Sequence, residues 1–281
     1  METFKLNNGL EIPVYGIGTF MIEPDDAERS VEFALKNGYR LIDTANAYMN
    51  EKAVGRGIRN SGVPREEIFV STKLWPSVYK DENAIDETLD RLGLEYIDLL
   101  FLHQPAGDWK TGYKHLEEAY KEGKIKAIGI SNFEGEYIKE LLEICEIKPQ
   151  VIQVECHPYF PQEELRKEIA EYDIKVMSWY PLGHGDSSLM NEEVFNELAQ
   201  KYNKTNTQII LRWHTDMGFI VIPGTKNEEH ILQNGDILDF KLTEEDLEKI
   251  SKVNKNKRYY TRTKAGLIGF LAFRPNFNNQ K

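Results

Sequence analysis

Four polar side chains that could move protons stand near the ends of apolar runs in the first part of the chain. Asp43, Lys73 and His103 each come where such a run stops, and Tyr48 lies in the loop after Asp43. Taken singly, residues of these types are more often structural. A strand-end lysine usually reaches water, and a lone histidine is usually held by hydrogen bonds. It is their combination that indicates chemistry.

Together, these side chains could form a proton donor for a carbonyl group. A free tyrosine is too weak an acid near neutrality, because its ordinary pKa is about 10. Asp43 can pair with Lys73, and the ammonium of Lys73 is expected to lower the pKa of a neighbouring Tyr48 by favouring the phenolate. His103 could then hold a carbonyl oxygen near the Tyr48 hydroxyl. The carbonyl carbon would remain open to hydride.

The chain around these residues alternates between short apolar runs and longer stretches with helical spacing. Eight such units without a linker favour an α/β fold, a (β/α)₈ TIM barrel formed by one domain over residues 1–281. The predicted strands are 14–17, 40–43, 68–74, 97–103, 125–130, 151–154, 175–179 and 219–222. The predicted helices are 25–37, 50–60, 81–92, 111–122, 134–144, 162–172, 191–202, 205–214 and 243–253.

The two ends of the chain fall outside this alternation. Residues 3–12 predict a β-hairpin, because Asn8-Gly9 is a strong turn dipeptide, and this hairpin would cover the barrel bottom. Residues 254–281 have no clear period and predict a loop over the barrel mouth. A doubly wound open sheet is the rival fold, although no Gly-x-Gly-x-x-Gly follows the first strand.

Composition narrows the classes of partner. The 46 acidic residues outnumber the 35 basic ones and are interspersed with them, which argues against nucleic-acid binding. The chain has no apolar run near the roughly twenty residues that a membrane helix needs, and its first residues do not resemble a secretory signal. We therefore expect a cytoplasmic monomer. Its two cysteines, Cys145 and Cys156, are expected to be reduced and structural.

Several segments resemble the aldo-keto reductase family in register, from the hairpin to about residue 240. Gly38–Ala45, followed by Tyr48 and Glu51, looks like the family signature. Further matching segments are Ser71–Trp75, Asp98–His103 and Gly129–Phe133. The bacterial 2,5-diketogluconate-reductase-like branch is the nearest, judging by His103–Pro105 and Ser178–Gly183.

The resemblance implies reduction of a small aldehyde or ketone with NADP(H), with NAD(H) use possible. It implies that Ser131, Asn132 and Gln153 hydrogen-bond the nicotinamide carboxamide and that Trp179 stacks on its ring. The glycine-containing loop opened by Leu182 would contact the pyrophosphate. The full set of implied cofactor residues is Gly18, Thr19, Asp43, Ser131, Asn132, Gln153, Trp179, Leu182, Gly183, Thr225, His230 and Asn234. The implied substrate residues are Phe20, Tyr48, Trp75 and His103.

The segment that would meet the 2′-phosphate of NADPH departs from the family pattern. Gly224 replaces a lysine and His230 replaces an arginine, so two fixed cations are lost. Thr225, Lys226 and the amides that begin the next helix could still receive a phosphate. We therefore expect dual cofactor use with a modest NADPH preference, stronger below about pH 6.5, where histidine side chains gain charge.

Two other functions remain open. Some aldo-keto reductase relatives act as nicotinamide-binding regulatory or structural proteins with little turnover, and a fold does not fix function. Lys73 could alternatively act as the Schiff-base nucleophile of a barrel isomerase or aldolase. The triplet Glu155-Cys156-His157 resembles a set of metal ligands, but similar sequences occur in the family without metal, so we predict a structural role and no metal.

Overall fold

The computed structural model describes residues 1–281, and its main sheet is a closed ring of eight parallel strands. Neighbouring strands in the sheet follow chain order. The last strand returns to the first, where the Gly16 amide donates to the Val221 carbonyl at 2.9 Å and the Val221 amide donates to Val14 at 3.0 Å. The predicted TIM barrel is thereby confirmed, and the open sheet is excluded.

Ten strands and twelve α-helices make up the fold. The strands are β1 (Thr3–Lys5), β2 (Glu11–Pro13), β3 (Ile17–Gly18), β4 (Leu41–Asp43), β5 (Phe69–Leu74), β6 (Leu99–Leu102), β7 (Ile128–Ser131), β8 (Val151–Glu155), β9 (Lys175–Trp179) and β10 (Ile220–Val221). The helices are α1 (Pro24–Lys36), α2 (Glu51–Ser61), α3 (Ala84–Leu92), α4 (Trp109–Lys121), α5 (Glu136–Ile144), α6 (Glu163–Ile169), α7 (Ser187–Met190), α8 (Glu193–Tyr202), α9 (Asn206–Asp216), α10 (Glu228–Gly235), α11 (Glu244–Ser251) and α12 (Lys264–Ala272).

Alternation along the strands divides the core into two layers. One cluster of 11 buried residues fills the barrel interior, and a cluster of 56 lies between the sheet and the helices. The interior is tight: a Cβ on Gly129 would lie 2.2 Å from the Phe101 ring, so the inward face of β7 must be glycine there. At the carboxyl ends of the strands, the side chains that point into the barrel are polar instead of apolar.

The N-terminal hairpin closes the bottom of the barrel, as predicted. Strands β1 and β2 pair antiparallel, with Phe4 opposite Ile12. Leu6 and Ile12 belong to the interior cluster, where they accompany barrel residues such as Leu41 and Phe101. One end of the barrel is thus sealed by apolar side chains, which leaves the carboxyl ends of the strands as the open end.

The C-terminal tail lies over that open end, and it contains helix α12, which its sequence pattern did not predict. The Thr263 hydroxyl accepts a hydrogen bond from the Gly266 amide at 3.0 Å and caps the helix. The segment Leu267–Ala272 is apolar on nearly every side and contains one glycine, so it has no 3.6-residue period to detect. The longest helices, α1 and α4, have 13 residues each, and no helix combines the length and apolar character of a membrane span.

Candidate active site

A buried ion pair lies at the carboxyl ends of two neighbouring strands. Asp43 ends β4 and Lys73 lies near the end of β5, both on the inward face. The Lys73 ammonium donates to Asp43 Oδ2 at 2.6 Å and to the Thr44 carbonyl at 2.8 Å. Lys73 is completely buried and Asp43 is nearly so. The Ser71 hydroxyl and the Gln153 amide donate to the other oxygen, Asp43 Oδ1, at 2.8 and 3.1 Å, so the carboxylate is well satisfied.

Tyr48 and His103 stand beside this pair. Tyr48 ends a short 3₁₀ turn, Asn46–Tyr48, and the Lys73 nitrogen lies 5.0 Å from the centre of its ring. The ring of His103, just after β6, lies 5.7 Å from that of Tyr48. Buried Asn50 fixes the turn, because its Nδ2 donates to the Thr19 and Ile22 carbonyls, both at 2.9 Å. The structure thus brings all four predicted catalytic residues together, and Asn50 is a positioning residue that sequence reasoning missed.

The pKa of Tyr48 moves in the direction opposite to the sequence-based expectation. Burial raises it well above its ordinary value, and the charge of Asp43 raises it further. Any lowering by Lys73 is outweighed by burial and by the charge of Asp43, to which the Lys73 ammonium is hydrogen-bonded. Tyr48 is therefore a protonated phenol at neutral pH, which is the form that can donate a proton.

His103 is neutral for a related reason. Burial, and then the charge of Lys73, lower the pKa of its imidazole well below the ordinary value. Burial also lowers the pKa of Lys73, against the opposing pull of Asp43. His103 Nδ1 is buried without a hydrogen-bond partner in the chain. A neutral imidazole has one N–H donor, which suits it to hold a carbonyl oxygen without competing for the proton.

Aromatic rings wall the space beside Tyr48 and His103. Phe20 is half-exposed with its ring 5.1 Å from that of Tyr48, and Trp75 lies edge-on to His103 at 5.0 Å. These are the predicted substrate residues. The tail adds Phe270 and Phe273, whose rings lie 5.1 and 5.6 Å from that of Trp75. Trp75 Nε1 also donates to the Phe270 carbonyl at 3.0 Å, which fastens α12 over the mouth.

Polar groups on the adjacent strands fit a nicotinamide carboxamide. Ser131 ends β7, Asn132 follows it, and Gln153 on the neighbouring strand β8 pairs with Ser131. The Ser131 hydroxyl donates to no group of the chain, and Gln153 Oε1 accepts from none. A carboxamide offers one acceptor oxygen and an NH₂ donor, so these two free groups match it. Asn132 adopts a left-handed backbone, with φ of 65°.

Trp179 and the following loop border the same space. Trp179 ends β9, is partly exposed, and donates from Nε1 to Asn132 Oδ1 at 3.0 Å. Leu182 and Gly183 lead into a tight turn in which Gly183 has φ of 61°. Asp186 ties this turn to the tail, because Lys257 Nζ and the Tyr259 hydroxyl both donate to it at 2.7 Å.

The structure places the remaining predicted cofactor residues around the first strand and α10. Thr19 is buried and donates from its amide and hydroxyl to the Asp43 carbonyl, at 3.0 and 3.2 Å. A Cβ on Gly18 would lie 2.9 Å from the Ile222 carbonyl, so only glycine fits the approach of β3 to the segment after β10. Asn234 is buried within α10.

Several polar groups of the segment expected to meet a 2′-phosphate already have partners in the chain. Lys226 Nζ lies 3.0 Å from Asp26 Oδ2, at the start of α1. Asn227 caps α10 by accepting from the His230 amide at 3.2 Å, and the His230 side chain is exposed. Thr225 accepts from the Asn227 amide at 3.1 Å. The partner Asp26 was not foreseen from sequence, since 200 residues separate it from Lys226.

The triplet Glu155-Cys156-His157 holds the tail. Glu155 Oε1 accepts from the Tyr259 amide at 2.6 Å and contacts His157 Nε2 at 3.1 Å. The Tyr260 amide donates to Oε2 at 3.3 Å. Glu155 and His157 are both fully buried. This pattern fits the structural role predicted from the sequence.

Comparisons with known proteins agree with this geometry. The model of the Aldo/keto reductase family matches residues 14–255. The chain is 45% identical over 262 residues to a glyoxal reductase of Bacillus subtilis, covering 92% of this chain and 94% of the relative. It is 37% identical over 258 residues to methylglyoxal reductase DkgA of Escherichia coli, covering 90% and 94%.

A solved aldo-keto reductase of Bombyx mori, in complex with NADP, is similar in structure. It is 33% identical, its TM-score is 0.87, and the match covers 99% of both chains. The chain belongs to the aldo/keto reductase family, and family membership makes it an oxidoreductase of carbonyl compounds.

Proposed function

We propose that this single-domain enzyme reduces small aldehydes and dicarbonyl compounds with NADPH, and with NADH less efficiently, using Tyr48 as the proton donor. The observation that carries the proposal is the buried Asp43–Lys73 pair at 2.6 Å beside the protonated phenol of Tyr48. The names of the glyoxal and methylglyoxal reductase relatives support dicarbonyl substrates. A panel of aldehydes and dicarbonyls, followed by oxidation of NADPH and NADH, tests it.

In this mechanism the chain orients the carbonyl and delivers the proton. Neutral His103 donates to the carbonyl oxygen and holds it beside the Tyr48 hydroxyl. Tyr48 donates its proton to that oxygen as negative charge develops there. Lys73, fixed by Asp43, stabilises the phenolate that results, which is where its charge has most effect. The bound cofactor supplies the hydride. The aromatic walls, Phe20 and Trp75, exclude water from the reacting atoms.

The arrangement of Lys73 also favours reduction over Schiff-base chemistry. Its ammonium is completely buried, and two of its protons are used in hydrogen bonds to Asp43 and Thr44. A nucleophilic amine must instead be neutral and face the substrate. Borohydride added with substrate should therefore trap no covalent adduct on Lys73.

Trp179 is expected to be the platform on which the nicotinamide ring stacks. Tryptophan fluorescence should fall when NADPH is added, and the Trp179→Ala variant should bind NADPH at least about tenfold more weakly, because a large stacking surface is lost. Trp213 is buried on α9, outside the mouth, so Trp213→Phe is a matched control that should keep its affinity. Equal NADPH affinity in Trp179→Ala and the parent would instead favour a simple packing role.

Cofactor preference should be modest, because the cations that distinguish the 2′-phosphate are absent or already paired. Each missing charge-assisted contact is worth about 1.5–3 kcal/mol. Lys226 forms a solvent-exposed ion pair with Asp26, and Glu228 and Glu229 begin α10 nearby. We expect the NADPH preference to be small at pH 8 and larger at pH 6, since histidine side chains in general gain charge between these values. Steady-state constants for both cofactors at each pH measure this. A preference for NADPH above about a thousandfold at pH 8 would reveal a clamp that we have not identified.

A further inference from the structure

A small pocket between the tail and the barrel mouth contains an arginine that forms no ion pair. The pocket has a volume of about 210 Å³ and is lined by Asn132, Glu134, Trp179, Arg258 and Arg262, together with tail residues 260–261. Trp179 is one of its lining residues, whereas Asp43 and Lys73 are not.

The two arginines differ in how their charge is balanced. Arg258 forms a two-point ion pair with Glu134, one contact of which is 3.2 Å from Nη1 to Oε1. Arg262 forms no ion pair with any residue of the chain. Its Nη1 donates to the Asn132 carbonyl, and its guanidinium lies 5.6 Å from the centre of the Tyr137 ring. A guanidinium has five N–H donors, so most of those on Arg262 remain free.

Arg262 is also joined to the catalytic centre through one residue. Asn132, which accepts from Arg262, donates from Nδ2 to the His103 carbonyl at 3.3 Å. The Asn132 side chain accepts from Trp179 Nε1 at 3.0 Å. Two hydrogen bonds through Asn132 therefore connect the Arg262 guanidinium to the His103 backbone at the barrel mouth. A partly buried cation without a counterion is a strong site for an anion.

We propose that Arg262 binds a carboxylate on the substrate, so that carbonyl compounds carrying a carboxylate are preferred over neutral ones of the same shape. This inference rests on the proposed function and deepens it by adding a charge requirement. Glu134 works against anion binding, since its carboxylate neutralises Arg258 and repels the carboxylate of the substrate. Planar guanidinium and planar carboxylate can form two parallel hydrogen bonds, which a lysine cannot reproduce.

The test compares 4-carboxybenzaldehyde with its neutral methyl ester, because the two share the same reacting aldehyde. The ratio of their kcat/KM values measures the anion preference. We expect this ratio to fall by at least about tenfold in Arg262→Gln, as for loss of a charge-assisted hydrogen bond. Arg262→Lys should recover part of it. Glu134→Gln should raise the ratio, because Arg258 is then freed.

Arg274→Gln is the matched control, since Arg274 is an exposed cation of the same tail that bonds only to the Leu271 carbonyl. It should leave both kcat/KM values unchanged. The inference is overturned if Arg262→Gln lowers both values equally. It is also overturned if Arg262→Gln weakens NADPH binding, measured by fluorescence, without changing the ratio, because Arg262 would then serve the cofactor.

A different result would contradict the proposed function itself, namely a parent protein that reduces neither aldehyde. In that case, the anion preference of Arg262 is tested by measuring ligand binding instead of turnover. Benzoate should bind more tightly than benzamide in the parent, and this difference should disappear in Arg262→Gln. Equal affinities for the two in the parent would overturn the inference independently of catalysis.

Discussion

Replacing Tyr48 with phenylalanine should reduce turnover of the best carbonyl substrate by at least about a hundredfold while leaving NADPH binding intact. The substitution removes the proton donor but keeps the ring that packs against Phe20 and His103. General acid catalysis typically contributes about 10²–10⁴-fold, so loss of the hydroxyl should appear mainly in kcat. Steady-state kinetics and a fluorescence titration with NADPH measure the two effects separately.

Tyr96→Phe provides a control with the same chemical change. Tyr96 also lies beside cations, with Lys126 Nζ 3.5 Å and Arg65 4.1 Å from its ring centre, but it precedes β6 at the opposite end of the barrel. The turnover of Tyr96→Phe should match that of the parent. If Tyr48→Phe keeps turnover within a few-fold of the parent, another group must donate the proton.

The second large effect is expected on replacing Lys73 with methionine, which should damage both turnover and stability. Asp43 would be left as a buried carboxylate without its ammonium partner, and breaking such a pair costs about 3–5 kcal/mol. Turnover should fall by at least about a hundredfold, because nothing then stabilises the Tyr48 phenolate. Urea unfolding and steady-state kinetics measure the two losses.

A double variant separates the two roles of Lys73. Asp43→Asn combined with Lys73→Met removes both charges, so part of the lost stability should return, whereas turnover should not. Recovery of turnover in the double variant would mean that Lys73 only supports the fold. Turnover near that of the parent in Lys73→Met alone would exclude any role for its charge.

The barrel could be predicted from sequence because its signals are local. Each predicted strand overlaps a barrel strand, since continuous apolar runs such as Leu99–Leu102 are typical of strands buried on both faces. The same reasoning located Asp43, Lys73 and His103, because the active site of a TIM barrel lies at the carboxyl ends of its strands. Helix α12 gave no such signal, being apolar on nearly every side.

Features that depend on distant contacts were not predictable. The pairing of Lys226 with Asp26 joins residues 200 positions apart, and the anchoring of the tail by Glu155 spans 104. The direction of the Tyr48 pKa shift depends on burial and on how closely Asp43 holds Lys73, neither of which spacing reveals. Arg262 lies in the part of the tail that resembles the family least, so its position at the mouth emerged only from the fold.

Hydride transfer from the cofactor to the carbonyl carbon can be followed with an isotopic label. NADPH carrying deuterium at C4 should transfer it to the carbinol carbon when methylglyoxal is the substrate, with one alcohol formed for each NADPH oxidised, as measured by mass spectrometry and absorbance. The parent should show this transfer, and Tyr48→Phe should nearly lose it. An alcohol without deuterium, or no oxidation of NADPH with any aldehyde or dicarbonyl of the panel, would contradict it.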